Sequence, residues 1–123
     1  MRRLMATILL MDDDEQVRML LQVALVGAGY CVLTAENGKD GLRLLQHQKV
    51  DLILVDIFMP RMDGLVIIEL LHMTRPACKI IAMSGGSGER DCLDTAKHLG
   101  ANHTLKKPLS LQELLDAVAS QLK

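Results

Sequence analysis

Two apolar rhythms alternate along the chain. Short, nearly continuous apolar runs occupy residues 4–11, 30–35, 52–55 and 79–84, and each stops at acidic, glycine or serine residues. Such runs suit strands buried on both faces of a parallel sheet. Between them, apolar residues recur at helical spacing. Val17, Leu20, Leu21, Ala24 and Leu25 fall on one face of an amphipathic helix. Asp13 or Asp14 caps its start, Glu15 favours the positive helix end, and Gly27 and Gly29 close it.

The same reading continues downstream. Asn37-Gly38 marks a turn, after which a helix runs to about residue 47 with Leu42 and Leu45 inward and Gly41 weakening it. Residues 64–73 are apolar almost all round, which predicts a deeply covered helix rather than an exposed patch, and Arg75-Pro76 breaks it. A helix over residues 89–99 closes at Gly100, and residues 103–107 form a short fifth strand before Pro108. Ser110-x-x-Glu113 is a capping box, followed by the stripe Leu111, Leu114, Leu115, Val118, Ala119 and Leu122. Five strands alternating with five helices predict an α/β fold: a parallel sheet, helices on both faces and right-handed crossovers.

The 123 residues make one expected domain, 1–123, with no linker or low-complexity stretch. No apolar run approaches the roughly 18–20 residues of a membrane span. Met1-Arg2-Arg3-Leu4 lacks the apolar segment and cleavage site of a signal peptide. A formal net charge of −1 offers no bulk attraction to nucleic acid or anionic membrane. Without Trp, and with one Tyr and one Phe, the chain has no stacking platform for bases. Cys31, Cys78 and Cys92 are odd in number and widely spaced, which predicts small buried thiols in a reducing, cytoplasmic setting.

In a parallel sheet, whatever follows each strand gathers at one edge. That rule brings together Asp12 and Asp13 after the first strand, Asp56 after the third, Ser84 after the fourth and Lys107 after the fifth. Any one of these acids alone reads as a loop cap; together they repel and raise their own pKa values. A divalent cation relieves the repulsion, and all-oxygen donors suit Mg²⁺ or Mn²⁺ rather than Zn²⁺. A serine hydroxyl and a lysine ammonium suit a phosphoryl group. With Asp56 as carboxylate nucleophile, the set reads as a phosphoryl-transfer site.

Four pieces, Ile-Leu-Leu-Met-Asp-Asp-Asp, Asp-Ile-Phe-Met-Pro-Arg-Met-Asp-Gly, Met-Ser-Gly and Gly-Ala-x-x-x-Leu-x-Lys-Pro, occur in order and cover essentially the whole chain. In these the sequence resembles a response regulator receiver domain, the phospho-acceptor of two-component signalling. The resemblance implies a flavodoxin-like (βα)5 three-layer sandwich with strand order 2-1-3-4-5. It implies that Asp56 accepts the phosphoryl group, Asp13 ligates Mg²⁺ directly, Asp12 acts mainly through bound water, and the Phe58 carbonyl is a further ligand. Ser84 and Lys107 would each hold a phosphoryl oxygen; Lys107, not its neighbour Lys106, touches the proline, and the Lys107–Pro108 bond would be cis. A histidine kinase or histidine phosphotransfer protein is the implied donor. Output is implied to run through protein contacts, a homodimer included, without direct contact to nucleic acid or membrane. The chain would catalyse only its own phosphorylation and dephosphorylation.

One position departs from the family pattern: Thr104 stands three residues before Lys107, where an aromatic switch residue is usual. That departure favours either a reduced switch by Thr104 and His103 or readout at the phosphorylated edge itself, and it keeps a phosphorylation-independent interaction module as the alternative. Phe58, bulky and two residues after Asp56, is expected to shield the acyl phosphate from water. A haloacid-dehalogenase-type phosphatase would want a second Asp where Phe58 stands. Residues 85–88 lack the Lys-Ser/Thr of a P-loop and read as a loop that lets Ser84 move. The four histidines share no metal spacing. The eight methionines read as core fillers, with Met59 and Met62, beside the site, the two expected to be exposed.

Overall fold

The computed structural model describes residues 5–59, 63–85 and 90–123. Its elements run β1 (Thr7–Met11), α1 (Glu15–Gly27), β2 (Cys31–Ala35), α2 (Gly38–His47), β3 (Leu52–Asp56), α3 (Gly64–Thr74), β4 (Lys79–Gly85), α4 (Arg90–Leu99), β5 (His103–Lys107) and α5 (Leu111–Gln121). All strand pairs are parallel and the sheet order is β2-β1-β3-β4-β5. The alternation of strands and helices predicts the parallel sheet covered on both faces, and the order is that of the flavodoxin-like three-layer sandwich the resemblance implies.

Side chains alternate across the pleat, so β1, β2, β3 and β4 each feed two cores, while β5 gives only Leu105 to one of them. Ile8, Leu10, Leu52, Leu54, Ile81, Met83 and Leu105 meet Leu21 and Leu25 of α1 and Leu114, Ala117 and Val118 of α5. On the opposite face Leu9, Met11, Ile53, Val55, Ile80 and Ala82 meet Leu45 of α2, Ile67, Ile68 and Leu71 of α3 and Ala96 of α4. Side-chain caps start four of the helices: Asp14 accepts from Gln16 and Val17, Asn37 from Asp40, Asp63 from Leu65 and Ser110 from Glu113.

Several expectations are corrected. β1 starts at Thr7, not residue 4, because its first ladder partner is Cys31; Leu4 lies outside the described residues, as do Glu89 and the loop at 86–88. Leu20 is 56% exposed, since it stands about 100° round the helix from the buried Leu21. Leu111 and Ala119 of α5 likewise face outward, and Ala117 takes the buried place between Leu114 and Val118. α3 is covered on one side only: Val66, Leu70 and Met73 are exposed. Cys31 is exposed, because it opens an edge strand, and Cys78 and Cys92 are half-buried; all three are free thiols.

Two glycines set close approaches. Gly41 does more than weaken α2, since a Cβ there would collide with the sulfur of Met11 and hold the helix off β1. At Gly64 a Cβ would stand 2.6 Å from the Asp56 carbonyl oxygen and 2.6 Å from Ile57 Cα. The first turn of α3 therefore rests backbone against backbone on the end of β3, with the Gly64 N–H donating to the Ile57 carbonyl at 3.0 Å.

Candidate functional site

β1 and β3 are adjacent and end together, which delivers their trailing carboxylates to one place. Asp12 is fully buried and all its polar groups are partnered. Its N–H donates to the Ala35 carbonyl at 3.2 Å, Oδ1 accepts from the Asp14 N–H at 2.9 Å, Oδ2 accepts from Lys107 Nζ at 2.8 Å, and its carbonyl accepts from Arg18 Nη1 at 2.8 Å. Asp13 is exposed. Asp56 is buried; its Oδ1 accepts from the Phe58 N–H at 3.0 Å and its Oδ2 from Lys107 Nζ at 3.0 Å. One ligand oxygen from each of Asp12, Asp13 and Asp56 lies within 4.8 Å of the others.

The basic and hydroxyl members come from the other half of the sheet. Ser84 is buried on β4, one residue beyond Met83, the ladder partner of Asp56. Gly85 pairs with Lys107, and a Cβ on it would sit 3.0 Å from the Lys107 Cβ, so the small residue leaves the lysine its path to the acids. Lys106 is exposed, and it is Lys107 that bridges Asp12 and Asp56. The Lys107–Pro108 bond is cis. Burial pushes the Asp56 carboxyl above its ordinary value, with Asp12 adding to the rise and Lys107 opposing it. Burial acting alone would lower the Lys107 ammonium, but its hydrogen bonds and attraction to Asp12 and Asp56 outweigh it and hold the pKa up.

Three carboxylates thus face one ammonium. The donors are all oxygens, closely grouped and open to water through Asp13, which fits a hard cation that keeps part of its hydration shell. Phe58 turns its side chain half into solvent. Met59 is buried, contrary to expectation, because it packs into the core on the α3 side; Met62 and Arg61 lie outside the described residues. Thr104 is half-buried and pairs with Ala82. Arg18 was not legible as a site residue; its one signal is a lone cation on the helix that the acids open.

A family model described as the response regulator receiver domain matches residues 8–119. The chain belongs to this family. It is a phospho-acceptor domain of two-component signalling, and receivers generally bind Mg²⁺ through an acidic pocket of the kind that Asp12, Asp13 and Asp56 form here. Sporulation initiation phosphotransferase F of Bacillus subtilis is 33% identical over 115 residues, which are 94% of this receiver and 92% of that protein. The transcriptional regulatory protein GlrR of Escherichia coli is 34% identical over 118 residues, but the receiver spans only 26% of its length. Among solved structures, the CheY-like receiver domain protein from Methanospirillum hungatei superposes with a TM-score of 0.90 at 28% identity, covering 97% of this chain and 94% of that one. Chemotaxis protein CheY4 of Vibrio cholerae gives 0.88 at 28% identity, covering 97% of this chain and all of that one.

Proposed function

We propose that Asp56 is the phospho-acceptor and that Asp12, Asp13, Ser84, Lys107 and the Phe58 carbonyl complete its site. The observation that carries this reading is the Lys107 ammonium lying within hydrogen-bond reach of both Asp12 and Asp56 from the far edge of the sheet. An oxygen of Asp56 attacks the phosphorus of a phosphohistidine on a histidine kinase or phosphotransfer protein. The new O–P bond forms as the N–P bond breaks, and the bonding pair leaves on the donor imidazole. Lys107, released from Asp56 as that carboxylate becomes an acyl phosphate, pairs with a phosphoryl oxygen, and Ser84 donates to another. Asp13, Asp56 and the Phe58 carbonyl would hold Mg²⁺, or Mn²⁺, with Asp12 acting through water, and the ion would supply positive charge to the transferring group. Later attack by water returns the free carboxylate, and Phe58 restricts its approach.

A groove of about 390 Å³ runs beside Lys107, lined by Val17, Leu20, Leu21, Pro108, Leu109 and Leu111. Exposed Met19 and Val23 continue its apolar surface along α1. This surface fits an apolar face of the phospho-donor, since Lys107 both lines the groove and reaches Asp56. Among the described residues no helix is long and apolar enough to cross a membrane, and a single cytoplasmic receiver over residues 1–123, acting through protein contacts rather than on nucleic acid, fits the composition. With Thr104 where an aromatic switch is usual, output is read at the phosphorylated edge itself. Mass spectrometry after incubation with acetyl phosphate and Mg²⁺ tests the chemistry. One phosphoryl group is expected on the wild type and none on Asp56→Asn; labelling of the Asn variant would mean another acceptor.

A further inference from the structure

Three of the four bonds to Asp12 follow from the fold and the site. Its N–H continues the sheet to Ala35, one carboxylate oxygen closes the turn to Asp14, and the other meets Lys107. The fourth does not. The Asp12 carbonyl is held at 2.8 Å by Arg18, which reaches back from the second turn of the helix that the acid loop starts. That carbonyl belongs to the planar peptide linking Asp12 to Asp13, so fixing the oxygen fixes the rotation of the plane. It thereby sets the direction in which Asp13 leaves the chain. Asp13 is the exposed member of the acid cluster, yet its carboxylate comes within 4.8 Å of those of buried Asp12 and Asp56.

We propose that Arg18 is a positioning residue for the cation site, holding the Asp12–Asp13 peptide so that Asp13 joins the other two acids. The inference rests on the reading that this cluster takes Mg²⁺. Its two possible effects have opposite signs. As a charge, a guanidinium beside the cluster repels a cation, so its removal would tighten Mg²⁺ binding. As a clamp it presents a ligand, so its removal weakens binding, by about tenfold or more when an orienting partner of a metal ligand is lost.

The test is an Mg²⁺ titration of the full chain followed by amide NMR shifts, with a thermal melt in the absence of the ion for each variant. Arg18→Ala is expected to bind Mg²⁺ at least about tenfold more weakly than wild type. Arg18→Lys, which keeps the charge and a donor on a shorter reach, is expected to fall between the two. Arg43→Ala, which removes the same charge from the exposed side of α2, is expected to stay within about twofold of wild type. Unchanged or tighter binding in Arg18→Ala overturns the proposal, as does a Lys variant that binds like wild type. Should the Ala variant fail to fold, Arg18→Gln takes its place: charge alone predicts tighter binding there, and the clamp predicts weaker. Wild type that shows no saturable shift at Asp12, Asp13 and Asp56 would overturn the cation site itself, and this inference with it.

Discussion

β3 lies at the centre of the sheet with all five residues buried, whereas β5 is an edge strand in which only Leu105 is buried. Both deliver a charged residue to the same site. β3 has a ladder on each side and a core on each face, so the backbone carrying Asp56 has almost no freedom. β5 has one neighbour, and its contribution arrives at the end of a flexible lysine stem. Asp56 is placed by packing; its countercharge is placed by reach. A nucleophile has to be aligned with an incoming phosphorus, while a point charge has only to be near it.

The largest expected effect is on stability. Leu54→Ala should cost about 4 kcal/mol and Leu105→Ala about 2 kcal/mol, because the edge site collapses more readily around the cavity. Urea unfolding measures both, and equal losses would remove the distinction between the strands. Next comes the lysine. Lys107→Ala should slow phosphorylation by acetyl phosphate about 100-fold, or about 2.7 kcal/mol, while Lys106→Ala stays within about twofold. A comparable loss at Lys106 would show that reach, rather than one particular lysine, is what the edge supplies.

Smaller effects sharpen the picture around Asp56. Phe58→Asn should speed loss of the phosphoryl group about fivefold, or about 1 kcal/mol, measured as decay of the labelled species; an unchanged rate removes the shielding role. The smallest effect follows from the raised Asp56 pKa. A carboxyl whose pKa is higher folded than unfolded stabilises the fold while protonated, below its ordinary value, and that contribution is lost as pH rises through the folded pKa. At neutral pH, ionised Asp56 therefore costs stability. Asp56→Asn should melt a few degrees above wild type at pH 7, the shift that about 1 kcal/mol produces in a domain of this length, with the gap closing as pH falls toward 4. A variant that melts lower at pH 7 would mean the Lys107 pairing outweighs the burial.

Element order and the gathering of Asp12, Asp13, Asp56, Ser84 and Lys107 at one edge were legible because a parallel sheet brings the strand ends together once the strands are located, whereas the strand order came from the family resemblance. β5 was read over its full length, since Gly-Ala before it and Pro108 after it punctuate so sharply. What periodicity does not carry is how wide a strip of each helix the sheet covers. Leu20, Leu111, Val66, Leu70 and Met73 are apolar at helical spacing, yet they lie beyond that strip. Nor does it carry contacts between a side chain and a carbonyl. Arg18 reads as an ordinary surface cation until the turn it reaches is folded beside it.

The meeting of α3 with the end of β3 has one more consequence. Where Gly64 lies on the peptide of Asp56 and Ile57, no side chain intervenes. At Gly41 and Gly85 the atoms a Cβ would meet belong to side chains, those of Met11 and Lys107. At the Gly64 seam there is nothing to rotate, so any side chain at position 64 would have to displace the backbone that carries Asp56.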